Sequence, residues 1–194
     1  YKRQEINQLV DCYTKVLKPK RALKPVKEPT VIALDTEYDK EGLISLCLSY
    51  EGPKGLHTQI YYPNKPTITI EEFTKDILDF CRAYEIPIDK TVYVVSHFAQ
   101  SELQHIEDLW AKLKIRVYDK SMYADFIGPE GFKIRIIDFF AHTLCGLNKI
   151  ARAIGMEKVS LEGLDGLSEE YWKENMRILL DVHKDIFEKY AKQD

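Results

Sequence analysis

No two cysteines in this chain stand close enough to share a metal: Cys12, Cys47, Cys81 and Cys145 are far apart and form no CxxC pair. That spacing excludes a zinc ribbon or finger. With Cys47 and Cys81 set in apolar patterns as buried thiols, it points to a reducing, cytoplasmic compartment. No apolar run approaches the ~18 residues that cross a bilayer, which argues against a membrane protein. No signal peptide is visible, and there is no internal repeat. The body of the chain also lacks positive charge. Residues 1–30 hold eight Lys/Arg against three acids, leaving 20 basic against 28 acidic residues in the rest, a net of −8. A basic clamp for nucleic acid is thereby excluded from the body. The N-terminal arm has the charge to touch phosphates, or is a solvated linker whose Lys and Pro keep it from packing.

What is present fits one globular domain. A chain of 194 residues with 45% hydrophobic and 30% charged residues is long enough for a real core and ordinary in composition. Ile6–Leu17 has helical spacing. Residues 18–29 carry Pro19, Pro25 and Pro29 among basic residues and read as an extended linker. The division is therefore a basic helix and linker over 1–29 and a folded domain over 30–194. Strands are expected at 31–37, 43–50 and 57–62, joined by turn-like sequences short enough for a meander. A helix is expected from Glu71 to Tyr84, capped by Thr69. A buried strand follows at 91–96, then a helix over about 101–112, and strands at 115–118 and 134–139. A short helix over 147–154 is stopped by Gly155. From Ser168 onward the pattern is helical, in one or two pieces. Three antiparallel-type strands, then helices alternating with a parallel-type strand, predict an α/β fold: a ribonuclease H-like mixed sheet with helices on both faces.

Three short patterns carry chemistry. In Val31-Ile32-Ala33-Leu34-Asp35-Thr36-Glu37 an apolar run, expected to be buried on both faces, ends in two carboxylates. Residues i and i+2 of a strand share a face, so Asp35 and Glu37 converge. Either a divalent cation offsets their repulsion or the strand simply runs out into solvent. In Ser96-His97-Phe98-Ala99-Gln100-Ser101-Glu102 a buried strand turns into a helix, a junction where α/β sheets collect ligands. There Glu102 is either a site acid or a partner of the helix dipole. In the C-terminal run, Tyr190 and Asp194 lie four apart on one helical face.

Together these patterns resemble the DEDDy branch of the DnaQ-like 3′–5′ exonucleases. Asp35-Thr36-Glu37 matches the first motif, and Tyr190 with Asp194 matches the third. Lys189 stands where the histidine variant of the third motif needs His. Glu102 replaces the aspartate of the second motif, a departure. The stretch from Leu147 to Gly155, followed by Lys158, is similar to exonuclease domains of family B DNA polymerases of the protein-primed phage and plasmid type. The resemblance implies a proofreading domain, on a longer chain with a polymerase domain, that trims single-stranded DNA. It implies two Mg²⁺ or Mn²⁺ ions held by Asp35, Glu37, Glu102 and Asp194, with Tyr190 orienting the attacking water. Substrate contacts are expected from the Thr36 backbone, from His97, which also has an orienting role, and from Phe98 stacking on a base. Asp138 is read as a helix cap, or as a further acid beside which Asp125 has less claim. Asp108 is an alternative to Glu102 that faces away, and Lys158 is a lone loop lysine. Ribonuclease D has similar first and third motifs, giving RNA as the alternative substrate. A degenerate nuclease fold that binds nucleic acid without cutting is the third reading.

Overall fold

The computed structural model describes residues 29–89, 91–109, 114–118, 121–128, 131–156 and 158–193, with the backbone alone for 114–118 and 121–124. The N-terminal helix and linker of the sequence reading lie outside the described residues, except for Pro29.

The order of elements follows the hydrophobic pattern closely. Strand β1 (Thr30–Asp39) pairs antiparallel with β2 (Gly42–Gly52), and β2 with β3 (Gly55–Tyr61), forming the expected meander. A two-residue strand, β4 (Ile68–Thr69), leads into helix α1 (Ile70–Ala83). Thr69 starts α1 with a full capping box: its hydroxyl accepts from the Glu72 amide at 3.1 Å, and the Glu72 carboxylate accepts from the Thr69 amide at 2.8 Å. Strand β5 (Val92–Ser96) runs parallel to β1, and β9 (Lys133–Asp138) parallel to β5. Between them a hairpin, β7 (Lys114–Tyr118) and β8 (Ser121–Ile127), extends the sheet antiparallel beyond β9. The seven-stranded sheet thus has the order β3-β2-β1-β5-β9-β8-β7. It is an α/β structure with a mixed sheet.

Two expectations fail here. Among the described residues, the helix expected over 101–112 breaks after a single turn, α2 (Ala99–Glu102), and Leu109 is helical again. Leu103, Ile106 and Leu109 have helical spacing, yet Ile106–Glu107 forms strand β6 and pairs with β4. Asp108, in the left-handed region at φ 52°, turns its carboxylate to the first amide of α1, Ile70 N, at 3.2 Å. The apolar spacing nevertheless serves the core: Leu103 and Ile106, outside any helix, and Leu109, which is helical, are all buried. Strand β1, in turn, is not dry on both sides. Ile32 and Leu34 are buried, whereas Val31 and Ala33 are exposed.

Pairing assigns the two faces of the sheet. Ile32, Leu34, Leu46, Leu48, Val92, Val94, Ile134 and Ile136 form one core with Phe73, Ile77 and Phe80 of α1. The opposite face is covered by the C-terminal helices α5 (Glu169–Glu174), α6 (Met176–Val182) and α7 (Lys184–Ala191), which follow α3 (Phe140–Thr143) and α4 (Leu147–Ala153). Trp172, Met176, Leu179, Phe187 and Tyr190 make a second core there with Ile44 and Ile60. The helical C-terminal pattern therefore resolves into three pieces, broken at Asn175 and His183. α4 ends as expected at Gly155, whose φ of 78° suits a residue without Cβ.

Candidate active site

Asp35 pairs with Cys47, and Cys47 with Ile60, so all three side chains share one face of the sheet. Ile60 packs on the second core; Asp35 and Glu37 therefore face the C-terminal helices. Glu37 is only 8% exposed, and Oδ2 of Asp35 is closed off from solvent. Burial pushes the Cys47 thiol up to about 12, with the Asp35 charge adding to the rise and Glu37 contributing less; the Ser49 hydroxyl and the Lys192 ammonium pull the other way. Cys47 is therefore a neutral thiol beside two carboxylates. Tyr190 and Ala191 at the end of α7 pack with Ile44 and Ile60, on the face of the sheet that carries these acids.

The last turn of α7 is fixed by several contacts. Tyr190, 8% exposed, belongs to the second core, and Lys158 Nζ lies 5.6 Å from its ring centroid. The Gln193 side chain accepts from the Val159 amide. Lys192 is 3.2 Å from Glu188. On the other side of the site Arg177 of α6 lies 3.6 Å from both Asp39 and Glu41, pinning the β1–β2 turn. Sequence reasoning missed Arg177, because only the fold brings a helix cation to that turn. Asp194 lies outside the described residues.

Glu102 reaches β1 from α2. Its Oε2 accepts from the Thr36 amide at 2.7 Å and from the Thr36 hydroxyl at 2.6 Å. The amide is accessible because β1 pairs with β5 only as far as Ala33; beyond that point the strand edge needs another acceptor. Glu102 thus serves as a strand-edge acceptor. On the Thr36 backbone that the sequence reading turned toward substrate, the amide is thus engaged by Glu102, as is the side-chain hydroxyl. Ser101, next to it, shares a 2.5 Å hydrogen bond with Tyr38.

His97 and Phe98 divide their roles. His97 Nε2 donates to the Cys145 carbonyl at 2.9 Å and tethers the α3–α4 connection to the end of β5; its orienting role is to hold this loop. Phe98 has a left-handed backbone, φ 63° and ψ 54°, an uncommon state for an aromatic residue. Its ring is 47% exposed and meets Phe140 edge-on at 5.4 Å. Asp138 Oδ1 accepts from the amides of Phe98 (3.1 Å) and Phe140 (2.9 Å). It holds the turn after β5 and the start of α3, as a cap. Asp125 forms a two-pronged pair with Arg135 across β8 and β9, at 2.6 and 2.9 Å.

Against the family models, the curated proteins and the solved structures, the chain shows no match. Function is therefore argued from this geometry. The carboxylates of Asp35 and Glu37 face the C-terminal helices beside the Cys47 thiol, and oxygen donors suit hard divalent cations. Among the described residues, no three His, Cys, Asp or Glu gather as a metal group. No described helix is long and apolar enough to cross a membrane.

Proposed function

We propose that this protein is a metal-dependent 3′–5′ exonuclease of the ribonuclease H-like, DEDDy type, acting on single-stranded DNA ends as a proofreading domain does. One observation carries the reading. Two carboxylates, two residues apart on a central strand, face the C-terminal helix that brings Tyr190 and Lys192 to the same side of the sheet. The strand order agrees with it, with an antiparallel meander flanked by two parallel strands. So does an exposed aromatic at the end of β5.

In this reading Asp35 and Glu37 offer oxygen ligands, and Asp194 would complete the set from the end of α7. Divalent ions bound there would lower the pKa of the attacking water and offset charge on the leaving 3′ oxygen. Tyr190 would orient that water, since a phenol is a poor base at neutral pH but a good hydrogen-bond partner. Phe98 would stack on the terminal base, and the product would be a nucleoside 5′-monophosphate. Glu102, bound twice to Thr36, would hold the strand edge that presents the acids.

That same engagement of Glu102 favours a second reading, a nuclease fold that binds nucleic acid without cutting it. The deciding measurement is trimming of 3′ ends of labelled single-stranded DNA and RNA in Mn²⁺. Parent protein should shorten DNA, and Asp35→Ala should lose the activity by about 10²-fold or more while melting at the parent's temperature. Equal trimming by both would remove the site assignment. RNA-only trimming would move the function to the ribonuclease D type. No trimming, with binding retained, would select the second reading.

A further inference from the structure

Strand β2 is buried from Gly42 to Leu48, and Ser45 carries the one hydroxyl in that stretch. Ser45 has no exposed surface, and among the described residues its Oγ has no hydrogen-bond partner. Ser49, further along the same strand, is different: its hydroxyl shares a 3.0 Å hydrogen bond with that of Thr58. A buried hydroxyl without a partner opposes folding, and native interiors hold few of them. Alanine would fill the same place without that loss. Local packing therefore gives no reason for a serine here.

The position of Ser45 supplies one. It is the partner of Glu37 across the β1–β2 ladder, and Asp35 pairs with Cys47, two residues along. Partners across a ladder and residues two apart share a face, so Ser45 stands on the face of the two acids. The pairing becomes irregular at this point, between Glu37 and Tyr38, and such irregularities are over-represented beside reactive sites. We propose that Ser45 is a positioning residue for the divalent ion that Asp35 and Glu37 would hold, its hydroxyl accepting a hydrogen bond from a water on that ion. The inference rests on the metal-dependent reading above. An ion such as Mg²⁺ keeps several waters when one or two carboxylates bind it. Ser45 Oγ has two lone pairs to offer them, whereas the neighbouring Cys47 thiol is a weak acceptor and Ile44 and Leu46 have no polar side-chain atom. A hydroxyl also adds this contact without adding to the repulsion between the two carboxylates, as a third acid would.

The test uses the full chain and reads Mn²⁺ affinity by titration calorimetry, with melting temperature followed in EDTA. Asp35→Ala should lose the binding, which locates the titrated ion at this pair. Ser45→Ala should bind Mn²⁺ about tenfold more weakly than the parent, the effect typical of a group that orients a metal's ligands. In EDTA it should melt at or above the parent's temperature, because the hydroxyl it loses has no partner. Ser49→Ala removes a hydroxyl that does have one, from the same strand, and should bind Mn²⁺ like the parent. Parental Mn²⁺ affinity in Ser45→Ala would overturn the proposal. A Ser45→Ala protein that melts below the parent in EDTA would overturn it too, since the hydroxyl would then serve the fold. The same holds for a Ser49→Ala protein weakened as much as Ser45→Ala, and for parental binding in Asp35→Ala. The two proposals fail separately. A parent that binds Mn²⁺ and trims DNA, with Ser45→Ala at parental affinity, sinks only this one. Weakened binding in Ser45→Ala, from a parent that trims no 3′ ends, upholds the role of Ser45 and removes the nuclease reading alone. A parent that binds no Mn²⁺ removes both.

Discussion

The two faces of the sheet are built from the same strands and obey different rules. On the α1 face, alternation delivers aliphatic side chains to a closed core. The polar groups near it are satisfied locally, as in the Thr69–Glu72 box or the Asp108 contact to Ile70. On the opposite face the same alternation delivers Ala33, Asp35, Glu37, Ser45 and Cys47. Helices α5–α7 cover only part of it, and α4 stands off over a cavity. One side maximises apolar contact. The other keeps charge and open volume next to one another, which costs stability and is the usual signature of a binding or reacting surface.

The comparison can be broken by substitutions on each side. The largest effect is expected from Phe80→Ala, a fully buried ring on α1. It should cost about 3–5 kcal/mol, seen as a large shift of the denaturant midpoint; a loss below ~1 kcal/mol would deny that this face carries the stability. Asp35→Asn should do the reverse. Trimming falls by about 10²-fold, equivalent to ~2.7 kcal/mol of barrier, with no loss of melting temperature, because a carboxylate next to Glu37 is removed. A variant that unfolds would recast Asp35 as a structural acid. Thr36→Val sits between the two rules. It deletes the hydroxyl bonded to Glu102 but leaves the amide contact, and should cost about 1 kcal/mol, measured by chemical denaturation against Glu102→Gln.

The smallest effect concerns pH. Burial raises the Asp76 carboxyl to about 6, with the Asp79 charge adding to the shift. A carboxyl whose folded pKa lies above its unfolded value favours the fold while neutral, below the unfolded pKa, and loses that contribution as pH rises through about 6. Asp76 is half-exposed, so the effect is discounted. Asp76→Asn should raise the melting temperature by about 2 °C at pH 7 and leave it unchanged at pH 3.5. An equal shift at both values would assign the gain to something other than charge.

Much of this contrast was legible in the chain. The meander, α1 with its cap, β5, β9 and α4 follow from alternation, spacing and punctuation. The shared face of Asp35 and Glu37 follows from the strand period alone. What escaped depends on distant partners. Strand β8 carries Asp125, a poor strand residue until Arg135 of β9 pairs with it. Leu103, Ile106 and Leu109 repeat like a helix, but Asp108 is drawn away to α1 and β6 to β4. For Glu102, read as a site acid or a partner of the helix dipole, the residues around it give no sign of Thr36. The Thr36 amide that binds it lies 66 residues earlier in the chain. Lys158 read as solitary for the same reason, since Arg152 and Lys173 join it only after α4 and α5 are in place.

The pairing of β1 with β2 slips by one residue between Glu37 and Tyr38, where Ile44 has no opposite number: Glu37 faces Ser45 and Tyr38 faces Leu43. Ile44 is thereby free to join the helices that cover the acids while Leu43 joins the α1 core. Hairpin length and chemistry are coupled by this one unmatched residue. Deleting it would leave Ser45 opposite Glu37 and Leu43 opposite Tyr38 as neighbours in a regular ladder, so the strands would keep their layers while the helix side lost a buried side chain. This hairpin should therefore survive the loss of its odd residue in register and pay for it in the cover over the acids.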